Sequence, residues 1–324
     1  MGRHEVDDEL DLSVVLAAFN EEVCIEKELG IVCNALDKAK MNYEVLVVDD
    51  GSTDNTPRLV RDFSHPRVSL IQHKSNQGSG SARKTGTLAA KGKYVMWSDV
   101  DLTYPNERMS ELLNHLRSRD IDQVVGARDS ERGTMKLLRV PAKFAIRKLA
   151  CFLTSSSIPD LNSGMRVFRR DIGLRYIDLL PKGFSCVTTI TLAFLCNGHS
   201  VEYVPIRYAK RAGKSKFHPI KDTYRYITQV ARMVTYFEPL KVFLPISLGM
   251  IVLGLVAAGL NLWRTGSMQE MDLVIFMGGF FVGVLGLIAD LFVKYQRKLE
   301  RLITSLPEYG KERQDLPSNS FREY

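Results

Sequence analysis

Short apolar runs alternate with amphipathic segments through the first 130 residues of the chain. Each run is four to eight residues long, the usual length of a buried strand. The segments between them have helical spacing or end in turn residues, and one carries Pro57 near its predicted start. Predicted strands cover residues 12–19, 43–48, 67–72, 94–97 and 123–127, with helices opening at 20–22 and covering 81–91 and 106–118. This alternation predicts an α/β fold with a mostly parallel sheet and helices on both faces.

Polar clusters follow four of the predicted strands. They are Asn20-Glu21, Asp49-Asp50, Asn76-Gln77-Gly78, and the pair Asp99 and Asp101. Because ligands of parallel sheets bind at the carboxyl ends of the strands, these clusters predict a nucleotide-type pocket there. The chain has no GxGxxG and no GxxxxGK[ST] motif, which disfavours a dinucleotide dehydrogenase and a P-loop nucleotidase.

Two long apolar runs lie near the carboxyl end of the chain. Residues 242–263 contain no charge over 22 positions, and residues 273–293 contain one, Asp290. Each run is long enough to cross a bilayer as a helix, and the nine residues between them suit the turn of a hairpin. Two buried core helices are the less favoured alternative. Gly279 and Gly283 form a GxxxG motif, which predicts close helix packing inside the hairpin or between protomers.

The charges that flank the hairpin predict its orientation. The linker 264–272 carries one Arg against two acids, whereas Lys241 precedes the hairpin and four cations follow it within residues 294–301. By the positive-inside rule, both termini and the long amino-terminal part lie in the cytoplasm, on the inner face of the cell membrane. Five cysteines without a CxxC pattern agree with a reducing compartment.

Positive charge is concentrated in two segments. Residues 205–241 have a balance of +7 and residues 128–150 a balance of +5, within a net charge of +7 for the chain. Basic segments close to a membrane span attract anionic headgroups or bind a phosphate. A membrane partner is therefore favoured over a nucleic acid, which we do not expect as a ligand.

The acidic pair in the segment SDVDL carries specific chemistry. Asp99 and Asp101 end a buried strand, where two carboxylates raise each other's pKa unless a cation lies between them. Oxygen ligands in so small a set suit Mg²⁺ or Mn²⁺, with substrate phosphates completing the coordination. The alternative is that the two acids cap the following helix or are only solvated.

Six motifs in order give the chain a family resemblance. They are VVLAAFNEE, VVDDGSTDNT, NQGSGSARKTG, SDVDL, DLNSGMRVF and RAGKSKF. Together they resemble glycosyltransferase family 2, with the GT-A fold, over roughly residues 11–235. Within the family, the set is most similar to the polyprenyl-phosphate sugar synthases of the dolichyl-phosphate mannose and glucose type. The predicted hairpin resembles that of bacterial members with two transmembrane helices.

The resemblance implies a domain order along the chain. It comprises a tail (1–10), a GT-A catalytic domain (11–218), basic amphipathic interfacial helices (219–241), a transmembrane hairpin (242–293) and a basic cytoplasmic tail (294–324).

The resemblance also assigns roles to individual residues. Asp99 and Asp101 match the ligands of the metal and diphosphate, and Arg128 and Arg139 match the arginines that receive the lipid phosphate. These four form the expected catalytic set, and Lys143 stands where some relatives have a serine in the acceptor site. The expected nucleotide-sugar contacts are Ala17, Phe19, Glu21, Asp50, Arg83, Asp99, Asp160, Ser163, Arg211 and Lys216.

The implied reaction moves a sugar from a nucleoside diphosphate to polyprenyl phosphate with inversion, using Mg²⁺ or Mn²⁺. A UDP-glucose-like donor is favoured, followed by GDP-mannose, and a homo-oligomer is possible. A lipid phosphate is largely ionised at neutral pH and needs cationic positioning rather than a general base. Two alternatives stay open. One is a processive polysaccharide synthase, since residues 229–233 partly match a QxxRW motif, and the other is a nucleotide-sugar-binding protein without activity.

Overall fold

The computed structural model describes residues 10–129, 156–209 and 235–304, with single positions at 148, 150, 151, 154, 228 and 232. The chain divides into two compact units after Val230. This division falls inside the segment 219–241, and the other expected domain boundaries stay predictions.

The first unit is built on one sheet of seven strands. Their order across the sheet is β3-β2-β1-β4-β6-β5-β7. All neighbours pair in parallel except β6, which is antiparallel to both β4 and β5. The strands are β1 (Leu12–Ala18), β2 (Tyr43–Asp49), β3 (Val68–Gln72), β4 (Tyr94–Asp99), β5 (Gln123–Arg128), β6 (Arg166–Arg169) and β7 (Val201–Ile206). The predicted mostly parallel sheet is confirmed, and β6 and β7 are additions that the apolar pattern did not indicate.

Six helices that the described ranges contain in full pack around this sheet. They are α1 (Ile25–Lys38), α2 (Thr56–Asp62), α3 (Ser79–Ala89), α4 (Met109–Arg119), α5 (Arg170–Arg175) and α6 (Cys186–Cys196). A short 3-10 turn at Asn106–Arg108 precedes α4. The helix predicted to open at 20–22 begins at Ile25, and Val23, which lies before it, is 84% exposed.

The helices cover both faces of the sheet. Val14 and Leu16 of β1 belong to the same buried core as residues of α1 and α4. Val15, between them, points to the opposite face, because side chains alternate along a strand. There it lies against Gly86 of α3. The indole of Trp97 on this second face donates to the Thr87 hydroxyl at 2.9 Å. The sheet is thus the middle of three layers, and its carboxyl edge stays accessible.

The second unit contains two long helices, α7 (Pro239–Thr265) and α8 (Glu270–Thr304). Pro239–Thr265 and Glu270–Gln296 are each 27 residues long and apolar enough to span a membrane. The predicted spans 242–263 and 273–293 lie inside them.

Small residues bring the two helices close together. A Cβ placed on Gly279 would lie 2.9 Å from the Ile251 backbone nitrogen, and one on Gly283 would lie 2.7 Å from the Ser247 hydroxyl. Ser247 donates to the carbonyl of Gly279 at 2.8 Å. The GxxxG motif therefore packs within the hairpin, one of its two predicted uses.

We predict that Gly279→Ala destabilises the hairpin by about 1–3 kcal/mol, because the added methyl group overlaps the α7 backbone. The matched control is Gly259→Ala, since among the described residues no atom lies within 4 Å of the Cβ position there. The control should be neutral or slightly stabilising, because Ala is the better helix former. Thermal unfolding in detergent measures both, and equal melting temperatures would contradict the prediction.

Candidate active site

The carboxyl edge of the sheet gathers the segments that the sequence marks as polar. In the register of β1, Ala17 lies opposite Asp99 of β4, and Ala18 lies opposite Asp49 of β2. The residues that follow these strands therefore emerge side by side. Phe19 and Glu21 are partly exposed there.

The loops after β1 and β2 are joined by hydrogen bonds. The Asn20 amide donates to the Ser52 hydroxyl at 2.8 Å, and the Thr53 amide donates to the Asn20 side chain at 2.8 Å. The Glu21 amide donates to the Thr56 hydroxyl at 2.8 Å. These bonds hold the segment 17–21 against the DDGSTDNT loop. Its contact with a nucleoside stays a prediction.

Asp50 anchors a third loop. Its carboxylate is buried and accepts hydrogen bonds from the Gln77 amide at 2.9 Å and the Gly78 amide at 2.7 Å. The His73 ring lies 2.8 Å from the same carboxylate. Gly78 has φ +100°, and a Cβ on it would collide with the Lys182 carbonyl. Both carboxylate oxygens of Asp50 thus hold the segment 73–78. Its expected role at the base stays a prediction.

Asp99 and Arg83 form an ion pair. The Arg83 guanidinium is 2% exposed and donates to Asp99 Oδ1 at 2.5 Å, whereas the Asp99 side chain is 36% exposed. A Cβ on Gly164 would lie 2.9 Å from Asp99 Oδ2 and 3.3 Å from a terminal nitrogen of Arg83. The Gly164 amide donates to the Tyr104 hydroxyl at 2.7 Å. The backbone at position 164 therefore lies directly against the Asp99 carboxylate, and this close approach requires glycine.

Asp101 lies in a tight turn after β4. Its carboxylate is 6% exposed and accepts the Thr103 hydroxyl at 2.5 Å and the Thr103 amide at 3.2 Å. Leu102, between them, has φ +59°, a left-handed conformation that a branched side chain rarely adopts. The turn therefore needs support from neighbouring residues.

Glu28 supplies part of that support. This residue of α1 is 1% exposed, and it accepts the Leu102 amide at 3.1 Å and the Asn106 side-chain amide at 2.7 Å. Burial raises the pKa of Glu28 to about 7, and the charge of Asp101 adds to this effect.

Arg128 and Asp160 form a second ion pair. Arg128 donates two side-chain bonds to Asp160, from Nε at 2.7 Å and from the terminal nitrogen at 2.9 Å. Burial by itself would raise the pKa of Asp160, but the bonds and charge of Arg128 outweigh it and lower this pKa. The Tyr208 ring lies 5.2 Å from the guanidinium carbon. The pair thus joins the end of β5 to the segment before β6.

Arg166 is a further buried cation. It is fully buried and donates to the Val187 carbonyl at 2.5 Å, the Thr191 hydroxyl at 2.7 Å and the Ser163 carbonyl. Burial lowers its pKa to about 10, and the nearby charge of Arg83 acts in the same direction. The Ser163 hydroxyl has no hydrogen-bond partner within the described part of the chain. Arg166 therefore shapes the segment 163–164 that faces Asp99.

A cavity of about 580 Å³ lies beside the acidic turn. Apolar and aromatic groups line it, including Ile31, Leu102 and Tyr208, together with the cations Lys27 and Arg207. Two acids, Glu107 and Asp129, also line it, so the cavity has an apolar wall and side chains of both charges.

Four predicted site residues, and most of the partial QxxRW match, lie outside the described residues. The four are Arg139, Lys143, Arg211 and Lys216. Their roles stay predictions. Conversely, sequence reasoning missed Glu28, His73, Tyr104 and Asn106. For Glu28 a signal was present, because an acid at this position interrupts the apolar face formed by Ile25, Leu29 and Val32.

The residues at the edge fit a divalent cation that brings its own phosphate ligands. Within residues 10–129, 156–209 and 235–304, no group of three or more His, Cys, Asp or Glu side chains forms a metal cluster. Mg²⁺ is typically held by one or two carboxylates plus substrate phosphates and water. Asp99 and Asp101 supply that number of carboxylates, so the donor set suits such an ion.

The fold and the site together define an α/β domain with an acidic site at the carboxyl edge of its sheet, and comparison with known proteins identifies its family. Residues 13–174 match the model of glycosyl transferase family 2, and residues 238–294 match the GtrB C-terminal hairpin. The chain belongs to glycosyltransferase family 2 and is an enzyme of that class. The hairpin match and the two apolar helices indicate a membrane-anchored protein.

Two relatives show the extent of the similarity. A dolichyl-phosphate hexose transferase of Haloferax volcanii is 32% identical over 211 residues, which is 64% of this chain and 87% of the relative. An undecaprenyl-phosphate 4-deoxy-4-formamido-L-arabinose transferase of Pseudomonas fluorescens is 28% identical over 299 residues, 86% of this chain and 84% of the relative. Of two other relatives the chain spans only 58%.

Among solved structures, glucosyl-3-phosphoglycerate synthase of Mycobacterium tuberculosis shares the fold. Its complex with Mn²⁺, UDP-glucose and phosphoglyceric acid superposes with a TM-score of 0.54 at 19% identity, over 69% of this chain and 79% of that one. At this identity the similarity supports the GT-A fold, which the sequence resemblance predicted.

We predict that Glu28 gives the protein a distinct pH dependence of stability. The folded state keeps the Glu28 proton up to a pKa of about 7, whereas the unfolded state releases it near 4.5. The free energy of unfolding should therefore fall as pH rises through this interval, by on the order of 3 kcal/mol from this group.

Melting temperatures of chelator-treated protein in detergent, between pH 4.5 and 8, test this prediction. The Glu28→Gln variant should show a shallower fall than the unmodified protein. Parallel curves for the two proteins would show that the prediction is wrong.

Proposed function

We propose that the enzyme transfers a sugar from a nucleoside-diphosphate sugar to a polyprenyl monophosphate, with inversion at the anomeric carbon. The observation that carries this proposal is the acidic turn at Asp99 and Asp101, where the buried guanidinium group of Arg83 pairs with Asp99. A divalent ion on the two carboxylates, together with Arg83, would leave a positive charge at the turn that favours an anionic ligand, and a diphosphate has the required charge.

The relatives support a lipid-phosphate acceptor. The two described above are named for dolichyl and undecaprenyl phosphate, and a Rhizobium relative, 23% identical over 240 residues, is named dodecaprenyl-phosphate galacturonate synthase. Their sugars differ, so they do not indicate one donor. From the sequence resemblance we favour a UDP-glucose-like donor, followed by GDP-mannose.

Asp99 and Asp101 would hold Mg²⁺ or Mn²⁺ together with the donor diphosphate. When bound, such an ion neutralises the charge that builds up on the leaving diphosphate. Arg83, paired with Asp99, would add its positive charge to that of the ion.

The acceptor phosphate acts as the nucleophile in this proposal. One of its oxygens forms a bond to the anomeric carbon while the bond from that carbon to the diphosphate oxygen breaks, and the nucleoside diphosphate leaves. The phosphate is already largely ionised at neutral pH, so no general base is required. Arg128 is suited to orient it, because a guanidinium group binds a phosphate with two parallel hydrogen bonds. The cavity beside the acidic turn, with its apolar wall, suits the first part of the lipid.

We further propose that the catalytic unit and both termini lie on the cytoplasmic side of the cell membrane. The cations at 294–301, compared with the acidic linker 264–272, support this orientation.

We predict that full-length protein in detergent transfers label from one of a panel of UDP- and GDP-sugars to a short polyprenyl phosphate, in the presence of Mg²⁺ or Mn²⁺. Organic extraction of labelled lipid measures the reaction. Asp101→Asn should lower the rate about a hundredfold or more, because it removes a charged ligand of the ion.

The matched control for Asp101→Asn is Asp120→Asn. Asp120 lies between α4 and β5, at the other edge of the sheet, in a left-handed conformation that Asn accepts well. This control should keep full activity. Label in a water-insoluble polymer would instead favour a processive synthase, and donor binding without any transfer would favour an inactive binding protein.

We predict that Arg128→Lys raises the KM for polyprenyl phosphate about tenfold or more, with a much smaller change in the KM for the donor. Lysine keeps the charge but cannot form the two parallel bonds. Arg169→Lys is the control, since Arg169 pairs with Asp120 and Asp122 at the remote edge. Steady-state kinetics with each substrate varied in turn separate the two KM values, and a change confined to the donor would contradict the acceptor role.

A further inference from the structure

The acidic turn is held at both of its ends by one buried residue. Leu102, directly after Asp101, donates its amide hydrogen to Glu28 Oε2 at 3.1 Å. Before Asp99, the Ser98 hydroxyl donates to the Asn106 side-chain oxygen at 2.6 Å, and the Asn106 side-chain nitrogen donates to Glu28 Oε1 at 2.7 Å. Glu28 therefore contacts the end of the turn directly and its beginning through Asn106.

Because these groups are buried, each hydrogen-bond donor among them needs an acceptor within the protein. Ser98 and Asn106 are fully buried and Glu28 is 1% exposed, so water is excluded from this network. A buried donor without an acceptor costs about 1–3 kcal/mol. In its ionised form Glu28 has no hydrogen to donate, so its two oxygens accept both amide groups at once. A glutamine side chain at position 28 would accept a hydrogen bond from only one of the two donors, and its own NH₂ group would face the other donor.

The backbone conformation of Leu102 shows why the turn needs the hydrogen bonds with Glu28 and Asn106. Its φ of +59° places a branched residue in the left-handed region, and no glycine relieves the strain at this position. The bond from the Leu102 amide to Glu28 stabilises that conformation. The conformation of Leu102 in turn sets the direction of the Asp101 carboxylate, which the Thr103 hydroxyl also holds at 2.5 Å.

We propose that Glu28 is a positioning residue for the divalent cation: with Asn106 it fixes the turn at 98–102, so that Asp99 and Asp101 present their carboxylates in the geometry that binds the ion and the diphosphate. This inference rests on the proposed function, since it concerns the same ion. It assigns Glu28 no contact with substrate.

Binding of Mn²⁺ is the direct test, and it does not require turnover. Full-length protein in detergent at pH 8, where Glu28 is ionised, is titrated with Mn²⁺ in the presence of UDP or GDP, and free Mn²⁺ is followed by electron paramagnetic resonance. Glu28→Gln should weaken Mn²⁺ binding about tenfold, which is the size of effect seen when residues that support metal ligands are changed. Glu44→Gln is the matched control, because Glu44 accepts a hydroxyl at 2.6 Å and a loop amide at 2.8 Å at the other edge of the sheet. It should bind Mn²⁺ as the unmodified protein does.

A double variant separates positioning from a general loss of structure. Glu28→Gln combined with Asn106→Asp exchanges donor and acceptor in the hydrogen bond between positions 28 and 106, which we call the central bond. The new amide at position 28 donates to the new carboxylate at 106 and still accepts the Leu102 amide, and the carboxylate still accepts the Ser98 hydroxyl. Only the long 3.4 Å contact from position 106 to the Asp99 carbonyl is lost. We expect Mn²⁺ affinity within about threefold of the unmodified protein.

Each outcome decides the inference. Mn²⁺ affinity of Glu28→Gln within twofold of the unmodified protein overturns it and leaves the proposed function intact. Failure of the unmodified protein to bind Mn²⁺ with either nucleotide overturns both. If Glu28→Gln does not fold, Asn106→Ala takes its place, because it removes the central bond and leaves the bond to Leu102. A several-fold loss of Mn²⁺ affinity in that variant supports the inference, and an unchanged affinity overturns it.

Discussion

Carboxylates that are shielded from water must be hydrogen-bonded or paired, and this constraint organises the whole carboxyl edge of the sheet. Four largely buried acids meet there, and each satisfies the requirement differently. Asp50 accepts backbone amides of the 73–78 loop, Glu28 accepts amides of the acidic turn, Asp101 accepts Thr103, and Asp160 pairs with Arg128. The bond of Asp101 closes a local turn, whereas those of Asp50, Glu28 and Asp160 join segments distant in sequence and so also fix the positions of the loops.

The same pairings prepare the site for its chemistry. Asp99 and Asp160 hold two guanidinium groups in place, so the cations do not have to be ordered when an anionic substrate arrives. Fixed charges of this kind are the main source of electrostatic catalysis, because they need no reorganisation during the reaction. Ion pairing also has a consequence for Arg128. A phosphate that binds it must share the guanidinium with Asp160 or displace that carboxylate.

The polar backbone groups of the hairpin must likewise be hydrogen-bonded, because the hairpin is suited to apolar surroundings. Its backbone groups are paired within the two helices, which is what a segment that crosses lipid requires. Without water to drive association, close contact depends on small residues and a few polar bonds. Gly254 and Gly279 provide the contact, and Asn261 bonds to the Asp272 carboxylate at 2.9 and 3.0 Å near the connecting turn.

Local patterns in the sequence determined five of the seven strands, both apolar spans, the acidic turn and the family. These features depend on residues close together along the chain, so periodicity and motif spacing reveal them. Only the tertiary structure decided that β6 runs antiparallel, that Arg83 pairs with Asp99 and Arg128 with Asp160, and that Glu28 lies beneath the turn. The partners in such contacts are 16 to 74 residues apart. The short, polar β6 and the choice of partner for each charge depend on which segments the folded sheet brings together, and no local pattern specifies that choice.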